Sequence, residues 1–243
     1  MKVLAINSSP HKGKGNTALI LNPFLDGMRE AGAEVELFYT SDLKINPCYG
    51  DFSCWTKTPG RCYQKDDMNM LYPKIACAEI LVVASPVYIL GLTGPMKMLM
   101  DRMVPLLQPF FELRAGQTTH SLRHSVREKI ERKIVLVSSG AQWEMDCFDA
   151  MLIHLKAISR IGDAEFAGAL LRPNAEVLRP MLETGAQVKD ILDAAKEAGR
   201  QLVHDGRISP DTLRIVSREL LPRDTYIQLV NQHFQEQMNK LES

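Results

Sequence analysis

Apolar residues along this chain follow two alternating rhythms. Strand-length apolar runs occupy Lys2–Asn7, Val35–Thr40, Ile80–Ser85, Ile134–Ser138 and Glu165–Leu171. Runs that are apolar on both faces belong to parallel strands covered by helices. Between them the spacing turns helical: Ala18, Leu21, Leu25 and Met28; then Met68 to Cys77; then Met96, Leu99, Met100 and Met103. It does so again at Phe148, Met151, Leu152, Leu155 and Ile158, and from Val188 to Val203. Gly32, Gly162 and Gly206 stop three of these helices, and Pro95 falls in the first turn of another. Asn16 or Thr17 is placed to cap the first helix, and Pro23 inside it predicts a kink or a loosened turn. Five strand–helix alternations joined by right-handed crossovers predict a three-layer α/β/α sandwich with a five-stranded parallel sheet in the order 2-1-3-4-5. Leu107–Arg132 breaks the rhythm and is too long for a plain connection, which predicts a flap or an extra structural element. The tail also stands outside the alternation, so the chain divides into a domain at 1–206 and a helical extension at 207–243. In the extension Leu213, Val216, Leu220, Ile227, Val230 and Phe234 make an apolar strip that needs a partner surface.

In a sheet of this order a ligand binds beyond the carboxyl ends of the strands, at the switch point between strands one and three. Three loops meet there: Ser8–Thr17, Ser85–Gly91 and Ser138–Glu144. The first is rich in hydroxyl, amide and glycine residues just before a helix, whose amino end carries unpaired N–H donors suited to phosphate. Lys12 and Lys14 add charge; an ordinary loop of turn formers is the alternative. The ligand is narrowed by elimination. Gly13-Lys14 is followed by Gly15 rather than Ser or Thr, so a nucleoside-triphosphate loop fails. Gly13 and Gly15 are followed by Ala18 where a dinucleotide fingerprint needs a third glycine. A single phosphate monoester such as FMN fits best.

Charge and composition exclude other classes. The 243 residues hold 29 basic and 29 acidic side chains, so no overall field gathers nucleic acid or an anionic membrane. MKVLAIN leads straight into a strand, and no stretch has bilayer length, which predicts a cytoplasmic protein without nucleic-acid or membrane partners. Of five cysteines, Cys48, Cys54 and Cys62 share one short segment, which points to metal or redox chemistry. Cys77 and Cys147 are isolated and read as small buried apolar residues.

Ser8-x-x-x-Lys12-Gly13-x-Gly15-Asn16-Thr17 after strand one and Ser85-Pro86-Val87-Tyr88 after strand three resemble the NADPH-dependent FMN reductase and iron–sulfur flavoprotein group of the flavodoxin-like superfamily. PCYGDFSCWTKTPGRCYQKDDM is similar to the cysteine region of that group. The resemblance runs from Met1 to about Arg172. It implies a flavodoxin-like fold with Ser9, His11, Asn16 and Thr17 on the FMN phosphate. It likewise implies Pro86, Val87, Tyr88, Ile89 and Leu90 along the ribityl chain and ring, and Ser139 and Gly140 at the other edge. The group usually carries arginine where His11 stands, so phosphate binding is expected to weaken as rising pH discharges the imidazole. The implied reaction passes hydride from NAD(P)H to FMN and then electrons to a second small-molecule acceptor, with no catalytic side chain required. The resemblance also implies a homodimer or homotetramer. An electron-transfer protein of the iron–sulfur flavoprotein type is the competing function.

Cluster-binding members of the group carry four compactly spaced cysteines, and Asp51 stands here where the second belongs. Three readings of Cys48, Cys54 and Cys62 follow: a retained loop without its iron–sulfur cluster, an intact cluster, or a redox or zinc-binding thiol set. Trp55 either stacks near a flavin or anchors its loop. His120, Arg123 and His124 either meet a nicotinamide phosphate or belong to a solvated flap. Lys65, Asp66 and Asp67 read as the cap of the helix that follows.

Overall fold

A computed structural model of the protein describes residues 1–114, 116–123 and 131–242. In chain order, β1 (Lys2–Asn7) leads through α1 (Asn16–Glu30) to β2 (Glu34–Tyr39). A long connection carrying α2 (Ser53–Thr56) and α3 (Met68–Cys77) precedes β3 (Ile80–Pro86) and α4 (Gly94–Asp101). Then come β4 (Leu107–Arg114), β5 (Gln117–Leu122), β6 (Arg132–Ser139), α5 (Asp149–Ile161) and β7 (Ala164–Arg172). Four helices end the chain: α6 (Ala175–Glu183), α7 (Lys189–His204), α8 (Pro210–Ser217) and α9 (Arg223–Glu242).

The sheet order is β2-β1-β3-β6-β7, all parallel, which is the predicted order with the hairpin strands counted in sequence. Strand residues alternate between two cores, as the period of two requires. Val3, Ala5, Val82, Val135 and Leu170 meet α1, α6, α7 and α8 through Phe24, Leu178, Ala195 and Val216. Leu4, Ile6, Val83, Leu136 and Leu171 meet α3, α4 and α5 through Leu71, Met96 and Leu155. Helix α1 stays helical across Pro23, and its close partner is α7. A Cβ on Gly27 would sit 1.8 Å from the Lys196 carbonyl oxygen, and one on Gly199 2.1 Å from that of Phe24. Backbone touches backbone there, so the missing side chains set the helix separation.

The 107–132 stretch holds the extra element expected there, while three other features depart from the sequence reading. The irregular 107–132 stretch contains an antiparallel hairpin, β4 with β5, set apart from the main sheet. Helix α6 was not foreseen, since Pro180 interrupts its short apolar pattern. Strand β7 carries a bulge: Ile134 pairs with Phe166 but Val135 with Gly168, leaving Ala167 as an extra residue. As a result Phe166 and Ala169, three apart, face the same core. Cys147 is buried as expected, but Cys77 is exposed at the end of α3. Among the described residues no helix is long and apolar enough to cross a membrane.

Candidate functional site: three loops at the carboxyl edge

The loop after β1 turns back over the sheet. The Ser8 N–H donates to Ala84 O at 2.8 Å, and the Ser9 N–H donates to the Asn7 side-chain oxygen at 2.9 Å. A 3-10 turn at Lys12–Lys14 follows, and α1 then starts with Gly15 at its cap. The expected capping by Asn16 or Thr17 does not occur. The cap lies one residue earlier and no side chain occupies it, so the amides of the first turn keep their capacity for an anion. Thr17 is turned inward instead, its hydroxyl 2.7 Å from that of Ser139, which ties the first loop to the end of β6. Gly15 is required by crowding: a Cβ there would lie 2.5 Å from Ser9 Oγ and 3.2 Å from His11 Cβ. His11 is exposed beside this cradle. Lys12 pairs with Asp42, and Arg179 of α6 donates to Lys14 O at 2.7 Å.

After β3 the chain makes a four-residue turn. Tyr88 N–H donates to Gly91 O at 3.0 Å, and Gly91 N–H to Tyr88 O at 3.1 Å. Between them Ile89 and Leu90 have φ of 46° and 57°. Positive φ at both central residues is the I′ geometry that glycine and asparagine normally supply. A β-branched residue there is strained, and strain of this kind concentrates at ligand clamps. The turn leaves Ile89 fully exposed and Tyr88 and Leu90 half-exposed, after β3, the strand that pairs with β1. Two buried polar atoms at the same edge have no hydrogen-bond partner, Asn7 Nδ2 and Thr93 Oγ1. Buried donors are rarely left unmet, and both belong to the carboxyl edge, Asn7 ending β1 and Thr93 preceding α4.

The third loop follows β6. Ser139 is nearly buried, its carbonyl accepting from Val87 N–H at 2.9 Å. A Cβ on Gly140 would meet Cys147 Sγ at 3.1 Å and Phe148 at 3.2 Å. Thus Thr17, Val87 and Ser139 are linked directly across the three loops, and the exposed Tyr88 to Leu90 follow Val87.

Residues 1–141, more than half of the chain, match the NADPH-dependent FMN reductase family. The chain belongs to that family. An iron–sulfur flavoprotein of Methanocaldococcus jannaschii is 39% identical over 106 residues, covering 44% of this chain and 53% of that protein. One of Archaeoglobus fulgidus is 40% identical over 105 residues, 43% of this chain and 46% of its own. The chain therefore spans about half the length of these two relatives. A third, from Methanosarcina thermophila, is 27% identical over 201 residues, 79% of this chain and 96% of that protein. Among solved structures, an FMN-dependent NADH-azoreductase from Bacillus anthracis in complex with FMN superposes with a TM-score of 0.60 at 15% identity. That match covers 84% of this chain and all of the other. The NAD(P)H:quinone oxidoreductase of Methanothermobacter marburgensis gives 0.56 at 18% identity, covering 84% and 98%. At these identities the likeness is one of fold.

The cysteine segment of this family member folds against α4 and the hairpin. Cys48, Cys54 and Cys62 line one cavity of about 30 Å3 together with Asp51 and Arg102. Burial, then the neighbouring Cys62 and Cys48, push the Cys54 thiol above its usual pKa. Arg102 is buried, grips Asp66 through both nitrogens at 2.6 and 3.1 Å, and lies 3.3 Å from Cys62 Sγ. Burial raises the Asp66 carboxyl, but Arg102 and the Asn46 and Met68 N–H groups outweigh it and hold the pKa below the ordinary carboxylate value. A four-iron cluster needs four thiolates. Three are present, and the fourth position is Asp51, whose carboxylate accepts from Ser53 N–H at 3.3 Å and Ser53 Oγ at 3.2 Å. Among the described residues no three His, Cys, Asp or Glu side chains are arranged to hold a metal ion. The residues do not fit a four-thiolate cluster.

Neighbouring residues settle into anchoring roles. The Trp55 indole donates to Val104 O at 3.2 Å and packs between Phe52 and His120, so it anchors its loop. Arg123 donates to Pro105 O at 2.9 Å and to Cys54 O at 3.4 Å. His120 stacks on Phe111, while His124 lies outside the described residues. The side chain of Asp67, at the cap position of α3, makes no capping bond and accepts instead from Lys44 N–H at 2.6 Å, while Asp66 accepts from Met68 N–H at 3.2 Å. Sequence reasoning missed the Arg102–Asp66 pair and the unmet Asn7 and Thr93 atoms; an arginine between Met100 and Met103, just past α4, was the one available signal.

Proposed function

We propose that this chain is an FMN-dependent oxidoreductase that takes hydride from NAD(P)H and passes electrons to a second small-molecule acceptor. The observation that carries this reading is that the uncapped amino end of α1, the strained Tyr88–Gly91 turn and the unmet Asn7 and Thr93 atoms all follow or end the adjacent parallel strands β1 and β3. The first feature suits a phosphate monoester, and the second gives a ring an apolar edge to lie against. Ser9, His11, Asn16 and Thr17 would hold the phosphate within the Gly15 cradle. Pro86, Val87, Tyr88, Ile89 and Leu90 would line the ring, with Ser139 and Gly140 at its far edge. When bound, FMN supplies the hydride- and electron-accepting chemistry. The protein's own part is to orient the ring, to shield one side of it with Tyr88 to Leu90, and to leave the other open to small donors and acceptors. Residues 1–206 form the FMN-binding domain in this reading and 207–243 its extension.

Exposed Phe110, Phe111 and Leu113 on β4, with Phe234, Met238 and Leu241 on α9, support a homodimer or homotetramer. An electron carrier without nicotinamide turnover is the second reading, favoured by the names of the relatives and by the three convergent thiols. One titration separates them. Purified protein is loaded with FMN and then titrated anaerobically with NADPH and NADH while the visible flavin band is followed. Rapid bleaching by either nucleotide is expected. A flavin band that persists under both selects the carrier, and protein that takes up no FMN overturns both.

A further inference from the structure

The loop at 140–144 is held by an arrangement that the proposed function does not use. Four consecutive carbonyl oxygens of this loop are each engaged from outside the sheet. Gly140 O accepts from Ala175 N–H at 3.0 Å and Gln142 O from Asn174 N–H at 2.9 Å. Trp143 O accepts from the Asn174 side-chain amide at 3.5 Å, and Ala141 O from the Tyr226 hydroxyl. The loop also reaches outward, for the Trp143 indole donates to Leu221 O at 3.1 Å. Arg223 completes the contact, 3.6 Å from the Glu144 carboxylate and stacked over the Trp143 ring at 5.9 Å.

Behind this contact sits Arg172, fully buried at the end of β7 with no carboxylate at ion-pair distance among the described residues. Its donors reach Pro173 O at 2.7 Å, Asn174 Oδ1 at 3.0 Å, Val216 O at 2.8 Å and Arg218 O at 2.6 Å. The last two oxygens lie at the carboxyl end of α8, where unpaired carbonyls carry partial negative charge. A helix end thus takes the place of a counter-ion, although burial and Arg218 still bring the Arg172 pKa down to about 10. The same guanidinium fixes Asn174, which has φ of 42°, and the Arg172 carbonyl accepts from Gly140 N–H at 3.0 Å. One side chain therefore joins the extension to the loop.

We propose that the C-terminal extension is a positioning strap: Arg172, Tyr226 and Trp143 fix the orientation of the 140–144 peptides at the edge of the ligand pocket. A trans peptide points each N–H opposite to the preceding carbonyl. Holding the carbonyls of 140–143 on residues 174, 175 and 226 therefore turns the N–H groups of 141–144 away from the strap. Donors set in advance bind an acceptor without a cost of ordering. The role assigned here toward FMN rests on the proposed function; the role toward the loop does not.

The test uses the full chain with Tyr226→Phe, which removes one hydroxyl, and Arg172→Lys, which keeps charge but loses the fork. Amide hydrogen exchange at Gly140, Asn174 and Ala175, whose N–H groups hold the loop, is measured without FMN. FMN affinity and the visible circular dichroism of bound flavin are measured beside it. Both variants should speed exchange at Gly140, Asn174 and Ala175 by about tenfold and weaken FMN by about tenfold, the loss of roughly one hydrogen bond. The flavin dichroism should change while the far-ultraviolet spectrum does not. Should Arg172→Lys fail to fold, Tyr226→Phe alone decides. Wild-type exchange, affinity and dichroism in Tyr226→Phe overturn the strap. Faster exchange with unchanged FMN affinity overturns its role toward the ligand. Wild-type protein that binds no FMN sinks the functional reading instead, and the exchange measurement still judges the strap on the loop.

Discussion

At Ile89 and Leu90 the backbone adopts a conformation that glycine would take freely. Each such residue stores on the order of 1–3 kcal/mol, and the strain holds two apolar side chains out in solvent. Leu90→Gly should therefore leave stability unchanged or raise it by about 1 kcal/mol while weakening FMN several-fold, because the relaxed turn no longer presents an apolar edge. Urea unfolding and an FMN titration on the same sample check both halves; a variant that is destabilised yet binds normally would refute the clamp. The residues of the first loop were legible as a candidate phosphate site because their types suit that chemistry: hydroxyls, amides and glycines before a helix. Asp66 and Arg102 were not, since charged residues read as surface until the fold closes over them. Asp51 lies between these cases. It was conspicuous as a break in a cysteine pattern, and its bonds to Ser53 appear only in three dimensions.

At the level of elements, the strands announced themselves through uninterrupted apolar runs, and their order followed from handedness alone. What stayed hidden was contact between helices. The closeness of α1 and α7 depends on Gly27 and Gly199, neither of which stands out in a sequence as anything but a weak helix former. Gly27→Ala should push the two helices apart and cost about 1–3 kcal/mol or more, the usual result of overpacking, even though alanine favours the helix. A lowered thermal midpoint with an unchanged helical spectrum is the expected measurement, and a raised midpoint would show that the helices separate freely. The β4–β5 hairpin was foreseen only as an extra element. Its pairing was hard to read because Phe110, Phe111 and Leu113 are exposed, which blurs the alternation that marks a half-buried strand.

For the molecule as a whole, two carboxylates tie distant segments together. Asp66 joins the cysteine segment to α4, and Asp190 joins α7 to Arg218 in the extension at 2.7 and 2.8 Å. Hydrogen bonding to Arg218 holds Asp190 below the ordinary carboxylate pKa of 3.8, and Asp66 is likewise lowered. A lowered folded pKa means that the stabilisation is complete above the ordinary value and is lost as pH falls through the folded one. Unfolding free energy should thus be flat near neutrality and fall steeply below about pH 4. Asp66→Asn should remove part of that slope and cost about 3–5 kcal/mol at pH 7, since it leaves Arg102 buried without its anion. Urea midpoints at pH 7 and pH 3 for both proteins test this, and equal slopes would refute it. The extension was legible as helical and as needing a surface, but its grip on the 140–144 loop was not, because that grip is made by main-chain oxygens that no sequence displays. It depends in turn on a single supernumerary residue. Ala167 inverts the in–out parity of β7, so Leu170 and Arg172 look toward α8 rather than toward α5. Paired residue for residue without the bulge, the last five residues of the strand would roll half a turn, carry the guanidinium to the opposite layer, and sever the tail from the pocket without touching either.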